Sequence, residues 1–489
     1  MNMRRIPFPR SARPARFALV MLVATALGAC TVGPPYVRPS APTPSSYKET
    51  AGWQPAEPAD ALDRGNWWTL FGDVELNRLE SRVEVSNQNV AAAVASYAQA
   101  RALVRQDRAA LFPAVTANGG ASRSGGGAGS TSGVARGTGN SFQAGLGASW
   151  EPDVWGRLRL AVTGAEASAQ ASEADLAAAK LSAQALLATD YFALREADAE
   201  EALLRITVAG YERALTITQN SYNAGISAKT DLLQAQTTLE NARATLVSLT
   251  NQRAQLEHAI AVLVGQPPGD FSVAVASWTM SVPTVPPGVP STLLQRRPDI
   301  AAAERAVAAA NAQIGIQRAA YFPSFSLSGS YGFASSSASS LFSAPSSLWS
   351  LGLSVAQTVF DAGATRARVA GAEAARDVTI AQYRQTVLAA FQSVEDQLST
   401  SRALREQEGS RRKASEAADL VEQQLLNQYR AGQVAYTNVV TAQASALSAR
   451  QTLVQLVSSQ QASAIALIQA LGGGWHVPQA FDGAASAPR

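Results

Sequence analysis

The sequence predicts an α+β membrane protein in which one unit, a pair of strands followed by a long helical hairpin, is used twice. Three observations predict it. The chain repeats itself at a shift of about 207 residues, which carries Gly225 onto Gly432. Four segments of roughly ten residues alternate between apolar and small or polar side chains, the pattern of membrane strands. Two long stretches, Gly156 to Tyr222 and Gly363 to Tyr429, contain no proline and few glycines, so each reads as one helix.

Composition narrows the function. The chain has 489 residues, 47% of them apolar, yet only 7% are aromatic and 16% charged. Alanine-rich helices of this kind suit close packing over long distances. The formal charge of +3 comes from the start of the chain, where residues 1–29 hold five arginines and no acid. Without them 40 − 5 = 35 basic residues face 37 acidic ones, so the body carries −2 and no footprint for nucleic acid. The two histidines, His258 and His476, lie far apart and lack neighbouring ligands. No metal, no cofactor and no catalytic constellation is expected, so the chain reads as no enzyme.

The elements follow in order. Residues 1–29 read as a signal peptide: arginines, then the apolar run Phe17 to Ala29, too short for a span that needs about 20 residues. Leu27-Gly28-Ala29-Cys30 resembles a bacterial lipobox, so Cys30, the single cysteine, is the expected lipidation site. Residues 30–60, rich in proline, read as a lipidated, extended tether. The first repeat is placed at 61–265, with strands about 113–122 and 141–152 and a hairpin about 157–265. A linker is placed at 266–297. The second repeat, 298–471, has strands about 322–333 and 348–360 and a hairpin about 363–471. Residues 472–489 form a tail. Arg297-Pro298-Asp299 reads as a helix start.

Within the repeat, Tyr222-Asn-Ala-Gly225-Ile-Ser-Ala-Lys-Thr230-Asp231 aligns with Tyr429-Arg-Ala-Gly432-Gln-Val-Ala-Tyr-Thr437-Asn438. Gly225 and Gly432 fall where a helix end needs left-handed backbone, so they are the expected hairpin turns. The return helices carry heptads, with Arg253 and Gln460 in the same layer, which predicts left-handed coiled-coil packing. Four membrane strands cannot close a barrel, and lipid does not tolerate open edges. Several chains must therefore combine, eight strands from a dimer or twelve from a trimer. With the Ser/Gly face inside, the result is a wet pore: a conduit.

These features together resemble the TolC-like outer-membrane efflux factors, in the NodT-type lipoprotein subgroup that serves RND tripartite systems. The resemblance rests on Cys30-Thr-Val-Gly-Pro-Pro-Tyr36, on Leu294-Gln-Arg-Arg297-Pro298-Asp299-Ile300 with Glu304, on Tyr321-Phe322-Pro323 and on the two glycine turns. It implies a homotrimer with a twelve-stranded transmembrane β-barrel continuous with a long periplasmic α-helical coiled-coil barrel. It implies an equatorial domain near residues 60–80, 266–297 and 472–489. It also implies docking to a periplasmic membrane-fusion adaptor and an inner-membrane RND-type transporter, an outer-membrane location in a Gram-negative cell, and contact with outer-membrane lipid.

The resemblance places a periplasmic gate at the hairpin tips. Its residues fall on Thr230 and Asp231 in the first repeat and on Tyr429, beside Arg430, in the second. A charge-assisted bond from Tyr429 or Arg430 to Asp231 would add about 1.5–3 kcal/mol to closure. Relatives often carry acids where Asn438 and Thr441 stand here, so a cation-binding ring is not expected. Two other roles are compatible with the sequence: the duct of a type I protein secretion system, and a non-conducting coiled-coil lipoprotein.

Overall fold

The duplication is written in the helix lengths. The computed structural model describes residues 32–49, 66–125, 138–276, 278, 280–283, 285 and 296–475. Cys30, His476 and the rest of the tail, and linker residues 277, 279, 284 and 286–295 lie outside these residues. The described helices are α1 (Val74–Ser86), α2 (Gln88–Ala109), α3 (Arg157–Asn223), α4 (Lys229–Leu263), α5 (Pro298–Ala319), α6 (Ala364–Arg430) and α7 (Tyr436–Ala470). The paired helices α2 and α5 have 22 residues each, α3 and α6 have 67, and α4 and α7 have 35. No helix among the described residues is long and apolar enough to cross a membrane.

The chain divides into two units. The first comprises residues up to 39, 98–171 and 304–382. It holds a four-stranded antiparallel sheet in the order β1 (Ala114–Ser124), β2 (Gly139–Trp150), β3 (Ser324–Ser335) and β4 (Ser347–Ala356). The central β2–β3 pairing joins the two repeats, from Phe142↔Ser335 to Trp150↔Leu327. Among the described residues, β1 and β4 are edges.

The strand ends differ from the expected 113–122, 141–152, 322–333 and 348–360. Pro113, Pro152 and Pro323 have no N–H to give to a ladder, so pairing starts after or stops before them. The last strand stops at Ala356 rather than 360, where the Gln357 side-chain amide donates to Tyr321 O at 2.9 Å. Next to the sheet, the Asp153 carboxylate accepts from the backbone N–H of Leu158 and Arg159, and Asp361 does the same for Thr365. These are helix N-caps, one for each long helix. Arg108–Glu166 and Arg318–Glu373 repeat one ion pair in the two halves.

The visible part of the tether is packed. Gly33 lies against Leu160 and Gly315, where a Cβ on Gly315 would come within 2.7 Å of the Gly33 Cα. Asn311 Nδ2 donates to Pro34 O at 3.0 Å, and the Tyr36 hydroxyl donates to Glu304. Arg305 grips the same carboxylate with two bonds of 2.5 and 2.6 Å. Burial and the Glu304 partner raise the Tyr36 pKa, so the phenol stays a donor.

The second unit comprises 40–97, 172–303 and 383–489. Its hairpins meet in small apolar clusters, such as Leu204, Tyr211, Leu239 and Ala242. Most expected heptad positions are buried, among them Ala235, Leu239, Ala242 and Leu249 in α4 and Val439, Ala446, Leu456 and Leu467 in α7. Arg253 breaks the apolar heptad for an ionic reason. Its guanidinium bonds Asp198 at 2.6 Å and Val273 O at 2.7 Å. Arg195, 2% exposed, bonds Asp198, Ala274 O and the Tyr191 hydroxyl. Glu257 accepts from Val273 N at 2.6 Å. This network fastens the start of the linker to α3 and α4. A short module, the 3₁₀ turn Trp67–Phe71 with α1, packs Phe71 on Phe192 at 4.9 Å between ring centroids. Inside it Glu80 is 0% exposed, and neither carboxylate oxygen has a hydrogen-bond partner among the described residues.

Candidate functional site

Alternation along each strand becomes a two-faced wall only if the registers agree, and they do. Leu146 pairs with Ala117 on one side and Tyr331 on the other, and Tyr331 pairs with Trp349. Trp150, Leu327 and Leu353 form a second such row. Through its middle this face is thus Phe, Leu, Val, Trp, Tyr, Ala and Gly, and Arg123, Asn140, Ser335 and Ser347 end it on one side. The opposite face carries Thr116, Asn118, Ser149, Ser328, Ser330, Ser350 and Ser354, with glycines between them. Trp349 and Leu351, on the apolar face, are 78% and 79% exposed within one chain. An exposed apolar band beside a wet, uncharged face is what a membrane strand with a hydrated inner side requires.

The turn ends of the hairpins hold the expected gate residues. Both turns have the same hydrogen bonds. Gly225 N bonds Tyr222 O and Ile226 N bonds Ser221 O, while Gly432 N bonds Tyr429 O and Gln433 N bonds Gln428 O, all at 2.9 Å. Gly225 and Gly432 have φ of 73° and 71°, so glycine suits each turn. Thr230 and Asp231 lie in the first turn of α4, Thr230 exposed and Asp231 half-buried. Arg430 ends α6 and is exposed, as are Asn438 and Thr441 in α7. Asp231 N and Asn438 N make matching 3.1 Å bonds to Ala228 O and Ala435 O.

Within one chain these residues do not all meet. Among the described residues, the Asp231 side chain bonds neither Tyr429 nor Arg430. Tyr429 instead faces the first hairpin, its hydroxyl 3.5 Å from Thr218 Oγ1. Its ring lies 5.1 Å from that of Tyr436. Tyr436, 1% exposed, is the central residue of the tip, packed with Ala214, Ala235 and Val439. Burial, then the neighbouring phenols Tyr429 and Tyr211, push its pKa up to about 12. Sequence reasoning missed Tyr436 as a site residue, because the first repeat has Lys229 at that position and so no tyrosine to compare. Thr441 Oγ1 bonds Thr437 O at 3.0 Å in its own helix. It also borders a groove of about 680 Å³ between α6 and α7, lined by Arg411, Ala414, Ala444, Ser448 and Thr452.

A sheet with one apolar and one wet face, joined in sequence to duplicated hairpins, defines a duct protein of the outer membrane. The family model for outer membrane efflux proteins matches residues 79–266 and 289–473. The chain belongs to that family. It is 32% identical over 465 residues to the Pseudomonas putida probable efflux pump outer membrane protein TtgC, covering 94% of this chain and 96% of that one. It is 31% identical over 458 residues to the Escherichia coli cation efflux system protein CusC, covering 93% and 99%. The solved structure of the outer-membrane channel OprN is similar with a TM-score of 0.83 and 32% identity, over 92% of this chain and 100% of that one. The chain is an outer-membrane efflux duct, and its family is one of transporters.

Proposed function

We propose that three copies of this chain close a twelve-stranded barrel and a helical tube, anchored by acylated Cys30, that passively carries substrates handed over by a periplasmic membrane-fusion adaptor and an inner-membrane RND-type transporter. The observation that carries the barrel is the shared register, which collects the apolar side chains of all four strands on one face and leaves two edges unpaired. Edge pairing between chains removes the open ladders that lipid excludes. The small-residue groove between α6 and α7 supports helix docking by the adaptor, since small side chains let another helix approach closely. Relatives named as efflux pump outer membrane proteins support the tripartite setting.

The helical tips form the gate. Tyr429 and Tyr436 hold the second hairpin against the first, and Asp231 with Arg430 is available to the neighbouring chain. Planar-bilayer conductance of the purified protein tests this beside native mass measurement. The reading expects three chains per particle and discrete conductance steps, larger or more frequent in Asp231→Ala. Confirmed oligomers without conductance would leave a structural coiled-coil lipoprotein as the better account.

A further inference from the structure

Where the strands end, the first unit has a cavity of about 330 Å³. Its wall includes Glu151, Trp155, Arg157, Phe322, Phe325 and Thr358. Trp155 stacks on Phe322 with ring centroids 4.8 Å apart and 28° between planes, and its Nε1–H donates to Pro323 O at 2.7 Å. Phe325 is on the apolar face of the sheet, opposite Val355. Just past the cavity, Val359 and Phe360 are 93% and 87% exposed. The polar part of the wall is charge-balanced: Glu151 pairs with Arg157 at 2.8 Å and Asp153 with Arg159 at 3.2 Å. Such a wall suits an uncharged amphiphile better than a phosphate.

The described tether starts at this cavity. Val32 N donates to the Trp155 carbonyl at 3.3 Å. Gly33, packed on Leu160 and Gly315, holds the chain there. Two residues of fully extended chain reach about 7 Å. A group on Cys30, two residues before Val32 in the sequence, therefore has this cavity within its covalent reach.

We propose that this cavity seats the acylglyceryl group carried by Cys30, with the glyceryl part against Trp155 and Phe322 and the acyl chains running over Phe325, Val359 and Phe360. It rests on the proposed acylation of Cys30. The lipid then serves as a packing element of the sheet–helix junction as well as an anchor.

Photo-crosslinking tests it on the full chain made in its lipidating host. Intact mass first shows whether Cys30 is acylated. Thr358→p-benzoylphenylalanine is then irradiated, with Val247→p-benzoylphenylalanine as a remote control. The expected product joins residue 358, and not residue 247, to the acylated N-terminal peptide. Adding Trp155→Ala lowers its yield about two- to tenfold, the factor for losing one aromatic pair. Crosslinks at 358 to free phospholipid alone, or to a second chain alone, would overturn the seat and leave acylation standing. A mass without acyl groups would overturn both, leaving the barrel reading intact. If Trp155→Ala does not fold, the single-site crosslink still decides.

Discussion

At the scale of single residues, the carboxyl of Glu80 is the clearest case of environment overriding intrinsic chemistry. Burial first, then the charge of Glu84 one turn on, pushes its pKa up to about 9. Lys180 sits 3.8 Å from Glu84 and does not bond Glu80. A carboxyl raised in the folded state binds a proton that the unfolded chain releases near pH 4.5. Folding stability is therefore highest below that pH and is lost as pH rises toward about 9. Thermal unfolding of Glu80→Gln should show a higher midpoint than the parent at pH 8 and less slope between pH 5 and 9. An unchanged slope would mean that Glu80 is ionised and solvated. The tip offers a second test. Tyr436→Ala removes a buried aromatic and should cost on the order of 3–5 kcal/mol of local packing. Larger conductance steps in this variant, with oligomer mass unchanged, would place Tyr436 in the closing contact.

At the scale of elements, the linker clamp makes a sharp prediction. Asp198 is shared by Arg195 and Arg253, and Asp198→Ala leaves the buried Arg195 guanidinium without its carboxylate and Arg253 with Glu257 alone, at 3.5 Å. Breaking such a pair costs about 3–5 kcal/mol. Limited proteolysis should then cut near residues 271–276 much faster than in the parent. Equal cutting would show that the backbone bonds to Val273 and Ala274 suffice. The elements also show what was legible beforehand. Helix periodicity and strand alternation are local, so the duplicated plan and the turns at Gly225 and Gly432 could be read directly. Alternation assigns a face but not an end, and three of the strand ends are set instead by Pro113, Pro152 and Pro323. Arg253 stood out as an interruption, yet its partners Asp198 and Val273 are remote or featureless in sequence. At the hairpin tips, Asp231 and Tyr429 were expected from the family resemblance, whereas the packing of Tyr436 could not be read, because the first repeat has Lys229 at that position.

At the scale of the whole molecule, the tether is as much a part of the fold as the sheet. Gly315→Leu should displace residues 33–36, because Gly33 occupies the space a side chain would take. Hydrogen exchange at Tyr36 would rise in this variant, and unchanged protection would show that Tyr36–Glu304 holds the tether unaided. The two unpaired sheet edges have a further consequence, for biogenesis. A lone chain presents β1 and β4 with open ladders and an apolar band that water rejects, while lipid rejects the ladders. Neither medium accommodates the sheet of a single copy, so in the proposed trimer membrane entry and subunit encounter belong to one kinetic event. Its rate should climb steeply with chain concentration, and dilution during refolding should stall the protein outside the bilayer.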